Sequence, residues 1–187
     1  MGTAKEPLFR LAQTQDLPDV ADMYRAVVAH MLAQSLAVWD EVYPVCCLAE
    51  DIAKQQLYLL RTEAAVYATF ALCPAHPGVE QIGWTQTAHA FYLDRFAVHP
   101  GQQGRGLGQL MLHHAAELAR AQQAEALRLF VVEHNAPAIG LYRKCGFVQM
   151  PGCYAHAVDE SLTLRELGME KQLCPANPFS AVFSQKK

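Results

Sequence analysis

The chain has 187 residues, of which 52% are hydrophobic and 18% are charged, as in one folded domain and unlike a disordered tail protein. Its formal net charge is −3 and it contains no long Lys/Arg block, which argues against a nucleic-acid partner. No apolar run approaches the roughly 18 residues of a membrane span, so we expect no membrane partner.

The first half of the chain predicts a strand, two helices and two further strands. A short strand is expected at residues 8–12, followed by a helix that Asp16 caps, because apolar side chains beyond it recur at helical spacing. Residues 32–48 are less regular and suggest a helix–loop–helix. Two strands are then predicted at residues 57–61 and 65–71.

The second half predicts strands that alternate with helices. A strand at residues 91–98 leads through a turn into a helix at 106–122, whose apolar side chains line one face. The continuous apolar run at 127–132 is typical of a central strand, and Asn135 can cap a short helix that ends near Cys145. Further strands are predicted at residues 147–150, 153–158 and 162–173. This order predicts a mixed α/β fold with helices on both sides of one sheet.

The cysteines and histidines predict neither disulfides nor a metal site. The six cysteines include no CxxC pair, so we expect reduced thiols and a cytoplasmic location, and residues 1–11 lack an apolar signal-peptide core. His113 and His114 are adjacent on a predicted helix and cannot ligate one metal as an i,i+4 pair could. Cys73 and His76 form a two-ligand fragment without partners, and we expect no metal.

A glycine-rich turn joins the strand at 91–98 to the helix that follows. Its sequence is HPGQQGRGLG, residues 99–108. Glycines allow a ligand to approach the backbone, and the first turn of a helix offers unpaired N–H groups and the positive end of its dipole. Together these features favour a phosphate site. The spacing matches neither a P-loop nor a Rossmann fingerprint, and a turn without a ligand is the alternative interpretation.

Two motifs resemble the signatures of the GNAT superfamily of N-acetyltransferases. The loop QQGRGLG (102–108), after the strand end RFAV (95–98), resembles the family's acetyl-CoA pyrophosphate loop. The run NAPAIGLYRKCGF (135–147) resembles its second signature. The two lie in family order at family spacing. The resemblance implies a GNAT-like fold, which is a mixed, largely antiparallel central sheet with helices on both faces.

The resemblance also implies an acetyl-CoA site built mainly from backbone amides. The strand end would hold the pantetheine arm, through Phe96, Ala97 and Val98. The loop would hold the pyrophosphate, through Gln103, Gly104, Arg105, Gly106, Leu107 and Gly108. Asn135 would lie near the pantetheine arm, although an asparagine that caps a helix needs no ligand. A bulge in the strand would leave one N–H free to polarise the acetyl carbonyl.

The transfer of an acetyl group to an amine needs an acid and a base. Tyr142 matches the family tyrosine that protonates the departing thiolate, and a core tyrosine is the alternative. An alkyl ammonium group is almost fully protonated at pH 7, and its deprotonation costs about 4.6 kcal/mol. A general base is therefore expected.

Asp94 is the first candidate for that base. Alternation along the strand places it on one face with Tyr92, Phe96 and Val98. A structural ion pair, with Arg95 or Arg128, is the alternative interpretation. Two residues at the end of the next strand are further candidates, Glu133 and His134.

Trp39 and Tyr43 lie where many family members build the acceptor pocket, although such residues also pack helix corners.

The resemblance implies an acetyl-CoA-dependent N-acetyltransferase that acts on a small-molecule or peptide amine in a ternary complex, without an acyl-enzyme. The alternatives are a non-catalytic acyl-CoA-binding regulatory module and a protein or peptide N-acetyltransferase of the same fold. We expect one domain over residues 1–174, a tail at 175–187, and a possible homodimer through residues 162–173 or the tail.

Overall fold

The structure is a computed structural model that describes residues 6–157 and 163–173. Its helices and strands, in chain order, are β1 (Leu8–Leu11), α1 (Leu17–Ala33), α2 (Leu48–Ala53), β2 (Leu57–Arg61), β3 (Val66–Cys73), β4 (Ala90–Val98), α3 (Leu107–Ala121), β5 (Ala126–Val132), α4 (Ala136–Lys144), β6 (Val148–Gln149), β7 (Tyr154–Ala157) and β8 (Thr163–Gln172). The predicted strands lie within two residues of these bounds. The predicted tail, 175–187, lies outside the described residues.

The strands form one sheet in the order β1-β2-β3-β4-β5-β8-β6, and β7 also pairs with β8. The β4–β5 pair is parallel, whereas the other strand pairs are antiparallel. This arrangement confirms the mixed, largely antiparallel sheet that the sequence predicts. Within the described part of the chain, no helix is both long and apolar enough to cross a membrane.

A hydrophobic cluster covers each face of the sheet. One cluster packs α3 and α4 against the sheet, through side chains such as Met111, Leu112 and Ile139. The other packs α1 and α2 against the opposite face, through side chains such as Val20 and Leu48. The helices therefore lie on both faces, as predicted, and the two clusters identify the face to which each strand side chain points.

The parallel pair β4–β5 opens into a wedge. The two strands pair only from Ala90–Ala126 to Leu93–Leu129. Beyond this point β4 continues to Val98 and β5 to Val132, but their register holds no further pair. The facing edges of both strands therefore keep backbone groups that the other strand does not satisfy, at the place where the glycine-rich turn follows β4.

A β-bulge interrupts β4 inside this wedge. The β3–β4 register passes from the pair Ala71–Asp94 to the pair Thr69–Ala97, so two residues of β4 lie opposite one residue of β3. The first of the two, Arg95, has a φ of 48°. The bulge therefore changes which side chains share a face.

The bulge contradicts part of the prediction about which β4 side chains share a face of the sheet. Tyr92 is buried in the cluster under α1 and α2, whereas Phe96 and Val98 pack against the cluster under α3 and α4. The prediction that Tyr92, Asp94, Phe96 and Val98 lie on one face is therefore wrong for Phe96 and Val98. The extra residue of the bulge is the physical reason, because strict alternation holds only in a regular strand.

Asp16 also differs from its predicted role. It occupies the N-cap position of α1 but makes no side-chain capping bond to the helix. Its carboxylate instead accepts hydrogen bonds from Arg10 and Arg61 at 2.6–2.7 Å and from the Gln13 amide at 2.7 Å. Asp16 thus joins β1 and β2 to the start of α1.

Candidate active site

A cavity of about 1310 Å³ occupies the wedge between β4 and β5. Its wall includes the diverging strand ends at 93–98 and 130–132, the end of α1 and the loop that follows it. We call the part lined by α4 and by residues 102–104 and 106–109 the α3 end. The opposite part, which we call the β8 end, is lined by His76, Phe130, His156, Leu164 and Glu166.

The backbone at the α3 end has the geometry of an anion site. Gly104 and Gly106 have φ values of 74° and 79°, and a Cβ added to either would meet no heavy atom within 4 Å. Glycine is suited to this left-handed conformation, and the space beside both residues is open. Gly106 is the N-cap of α3 and supplies no side-chain cap. The first-turn N–H groups of α3 are therefore available to an anionic ligand.

A third glycine sets how closely α3 approaches α4. A Cβ at Gly108 would lie 2.9 Å from Cδ2 of Leu141. The glycine thus allows the first turn of α3 to pack beside α4, which forms the other wall of the α3 end. Gln103 stabilises the preceding turn, because its Nε2 donates to the Val98 carbonyl at 3.2 Å.

Two residues that were predicted to bind acetyl-CoA, Arg105 and Asn135, make hydrogen bonds within the protein. Arg105 is exposed and does not contribute to the cavity wall, and its guanidinium donates to the Gln102 side chain at 3.0 Å. Asn135 lines the cavity, and its Oδ1 accepts a hydrogen bond from the Ala138 amide at 3.3 Å. Asn135 therefore caps α4 as predicted, in a position that also faces the cavity.

Tyr142 lies in the cavity wall and is only 7% exposed. The rings of Phe96 and Phe147 lie 6.1 Å and 5.8 Å from its ring. Burial, together with the nearby Asp94 carboxylate, raises the pKa of the Tyr142 phenol above its usual value. The phenol therefore keeps its proton at neutral pH and can act as a proton donor.

Asp94 also faces the cavity, but its carboxylate already has partners. Oδ2 accepts from the Arg95 guanidinium at 2.8 Å, and Oδ1 accepts from the Arg95 amide at 2.7 Å and from Tyr43 Oη at 3.4 Å. The structural alternative of an ion pair is thus observed with Arg95. It is not observed with Arg128, whose Nε donates to Glu170 at 2.8 Å.

The bulge that carries Arg95 is held from two sides. The Arg95 guanidinium donates to both carboxylate oxygens of Asp51, on α2, at 2.6 and 2.8 Å. Its carbonyl accepts a hydrogen bond from the hydroxyl of Tyr24, on α1. Both helices therefore fix the backbone at the point where β4 turns into the wedge.

Trp39 and Tyr43, the predicted acceptor residues, both line the cavity. Their rings meet edge to face at 6.3 Å, and Trp39 meets the buried ring of Tyr24 at 5.8 Å. The loop after α1 is thereby anchored to the core.

The further base candidates, Glu133 and His134, are exposed and do not line the cavity. Glu133 pairs with Arg165 at 3.1 Å.

Sequence reasoning missed three titratable side chains at the β8 end. Glu166, on β8, lies 3.3 Å from Nδ1 of His156, on β7, and His76 stacks on Phe130 at 3.9 Å. The sequence predicted both strands, but not that β8 pairs with the end of β5. Among the residues that the structure describes, no group of three or more His, Cys, Asp and Glu side chains is placed to hold a metal ion.

Comparison with known proteins agrees with this geometry. Residues 39–147 match the Acetyltransferase (GNAT) family. Streptothricin acetyltransferase of Streptomyces lavendulae is 37% identical over 98 residues, which cover 52% of this chain and 50% of that protein. The match thus spans about half the length of that relative.

A longer match and a solved structure extend the comparison. The L-methionine sulfoximine/L-methionine sulfone acetyltransferase of Pseudomonas aeruginosa is 28% identical over 158 residues, covering 76% of this chain and 82% of that protein. The crystal structure of the paia N-acetyltransferase of Thermoplasma acidophilum, in complex with coenzyme A, has a TM-score of 0.63 at 16% identity and covers 89% of this chain and 98% of that chain. The family match covers more than half of the chain, and the chain belongs to the GNAT acetyltransferase family.

Proposed function

We propose that this protein is an acetyl-CoA-dependent N-acetyltransferase that transfers the acetyl group directly to an amine within a ternary complex. The observation that carries the proposal is that one cavity joins three features. These are the open glycine turn at the start of α3, the diverging ends of β4 and β5, and the protonated phenol of Tyr142.

The residues at the α3 end fit the pyrophosphate and pantetheine of acetyl-CoA. Gly104 and Gly106 leave open space over the backbone, and the first-turn amides of α3 complement negative charge. Along β4, the backbone of Phe96, Ala97 and Val98 faces the wedge, where β5 does not pair with it. An extended amide-containing arm can bind such an edge as an added strand. That relatives of the same fold bind coenzyme A supports this assignment.

Acetyl-CoA would bring an already activated thioester to this cavity, so the reaction needs no nucleophile from the chain. In the proposed transfer the acceptor nitrogen forms a bond to the acetyl carbon, and the bond from that carbon to sulfur breaks. Tyr142 donates its proton to the departing sulfur, and its phenolate then takes the second proton that the nitrogen loses as the amide forms, which restores the phenol. The first proton of the acceptor ammonium is taken by a carboxylate of the cavity, for which Asp94 stays the first candidate, because it lines the same cavity as Tyr142 and lies 3.4 Å from Tyr43 Oη.

A thermal unfolding experiment on the full chain tests the cofactor assignment. Acetyl-CoA at about 100 times its Kd adds roughly 2.7 kcal/mol to the free energy of unfolding, which raises Tm by several degrees. We expect this rise with acetyl-CoA and none with adenosine, which lacks the pyrophosphate and the pantetheine arm. The absence of a rise with acetyl-CoA would overturn the proposed function. A rise without acetylation of any amine would instead point to the non-catalytic acyl-CoA-binding module.

A further inference from the structure

Carboxylates outnumber permanent cations in the cavity wall. Among the described lining residues, the carboxylates are Asp40, Glu41, Asp94 and Glu166. The permanent cations among the same lining residues are Arg95 and Lys144. Which of these charges an acceptor meets depends on how each one is already paired.

Arg95 is not available to bind an acceptor. Its side chain is 9% exposed, and its guanidinium is held between the carboxylates of Asp51 and Asp94 at 2.6–2.8 Å. These three residues together carry one net negative charge. A carboxylate on an acceptor would therefore meet no free cation at this position.

Lys144, on α4, lies at the α3 end of the cavity and not at the β8 end. It follows Gly140 and Leu141 by four and three residues along α4, so the three lie on one helix face. Leu141 is the side chain that approaches Gly108 at the start of α3. Lys144 therefore lies on the face of α4 that packs beside the first turn of α3, on the side of the cavity where a phosphate group would bind.

Glu166 supplies negative charge at the β8 end. It pairs through its backbone with Val132 on one side and Tyr154 on the other, so β8 holds it rigidly beside the end of β5. Its side chain is 14% exposed and lies in the cavity wall. Its carboxylate lies 3.3 Å from Nδ1 of His156. Burial raises the pKa of Glu166, His156 opposes this rise, and the Asp94 carboxylate, which lines the same cavity, adds to it.

Apart from Leu164, the rest of this end consists of aromatic and imidazole rings. His76 stacks on Phe130 with ring centroids 3.9 Å apart, and Tyr43 approaches Asp94 from the loop after α1. Burial lowers the pKa of His76, so its ring is neutral near pH 7. Aromatic faces beside carboxylates favour a cation and disfavour an anion.

We infer that the acceptor is a cationic amine without a carboxylate group, and that its ammonium group binds between Glu166 and Asp94. The inference rests on the proposed function and deepens it by naming the substrate class. An ammonium group at this position complements the negative charge of the two carboxylates, which line the same cavity. A carboxylate placed beside the same amine, as in an α-amino acid, adds repulsion that no described cation offsets.

Matched pairs of acceptors that differ in the carboxylate test the inference. The full chain is assayed by thiol release from acetyl-CoA with cadaverine against L-lysine, and with phenethylamine against L-phenylalanine. We expect kcat/KM for the amine of a pair to exceed that of its amino acid by about tenfold or more. Equal or faster turnover of the amino acids would overturn the inference, as would the failure of both amines to react.

Glu166→Gln tests the residue itself. The variant keeps the size of the side chain but removes its charge, so we expect KM for the amine to rise about tenfold and the preference for the amine over its amino acid to shrink. The preference is a ratio, and partial unfolding does not change it. Glu117→Gln, on the exposed surface of α3, is the matched control and leaves both quantities unchanged. An unchanged preference in Glu166→Gln would overturn the role of Glu166.

The thermal unfolding experiment separates this inference from the proposed function. If acetyl-CoA raises Tm normally but the amino acids react as well as the amines, only the acceptor assignment fails. If acetyl-CoA does not raise Tm, the proposed function fails first.

Discussion

Tyr142 and Asp94 both line the cavity, yet their side chains have different surroundings. Tyr142 is enclosed by Phe96 and Phe147, and burial with the Asp94 charge raises its pKa, so the phenol stays protonated. Asp94 instead accepts hydrogen bonds from the backbone and side chain of Arg95. The first environment favours a proton donor, whereas the second holds both oxygens of the Asp94 carboxylate in place.

Replacement of the Tyr142 hydroxyl tests its proposed role as the acid. Tyr142→Phe keeps the buried ring but removes the proton donor, so we expect kcat to fall by about 10²-fold or more, with little change in KM for acetyl-CoA. The measurement is steady-state thiol release. Tyr58→Phe, whose ring packs against Phe9 and Phe70 outside the cavity wall, is the control and should retain the wild-type rate. A Tyr142→Phe rate equal to wild type would exclude Tyr142 as the acid.

At the scale of elements, two glycines that line the cavity differ in the backbone conformation that they adopt. Gly106 has a φ of 79° at the start of α3, a conformation that costs a residue with a Cβ about 1–2 kcal/mol. Gly140 lies inside α4, and a Cβ added there would meet no heavy atom within 4 Å. The first glycine is required by the turn, whereas the second only weakens its helix.

Alanine substitutions at Gly106 and Gly140 should change the free energy of unfolding in opposite directions. Without ligand, Gly106→Ala should lower the free energy of unfolding by about 1–2 kcal/mol, because the residue stays in the left-handed region. Gly140→Ala should raise it by about 0.5–1 kcal/mol, because alanine favours the helix. Urea denaturation measures both changes. An unchanged or raised free energy of unfolding in Gly106→Ala would show that the turn does not need glycine at position 106.

At the scale of the whole molecule, one buried carboxylate joins three elements from the edge of the sheet inward. Asp16 is 1% exposed and bonds to Arg10 on β1 and Arg61 on β2. Mainly through the Arg10 hydrogen bond, its pKa falls to about 2. Because that pKa is lower than the value of about 3.9 in an unfolded chain, the ionised carboxylate stabilises the native state above the unfolded pKa. The stabilisation is lost as the pH falls toward the native pKa.

A pH series therefore tests this contribution. Asp16→Asn should lower the free energy of unfolding by about 2 kcal/mol at pH 7, and its difference from wild type should fade between about pH 4 and pH 2. Denaturation at each pH gives the difference directly. Asp22→Asn removes an exposed partner of Arg25 and should change stability by less than about 0.5 kcal/mol. A difference for Asp16→Asn that persists undiminished at pH 2 would contradict the assignment.

Local signals in the sequence predicted much of this protein. The helical spacing of apolar residues predicted the main helices, because burial on one face follows the repeat of a helix, and short apolar segments predicted the strands. Gly104 and Gly106 could be recognised as a special turn because positive φ is cheap for glycine. The two signature motifs predicted the family, which the comparison with known proteins then confirmed.

The face of Phe96 and the position of Glu166 could not be predicted in this way. The β4 bulge arises from its register with β3, and Glu166 reaches the cavity because β8 pairs with the end of β5. The sequence by itself therefore determined the elements, the glycine turn and the family. Tertiary structure alone decided which charges meet in the cavity, because strand register and desolvation depend on contacts between segments that are far apart in the chain.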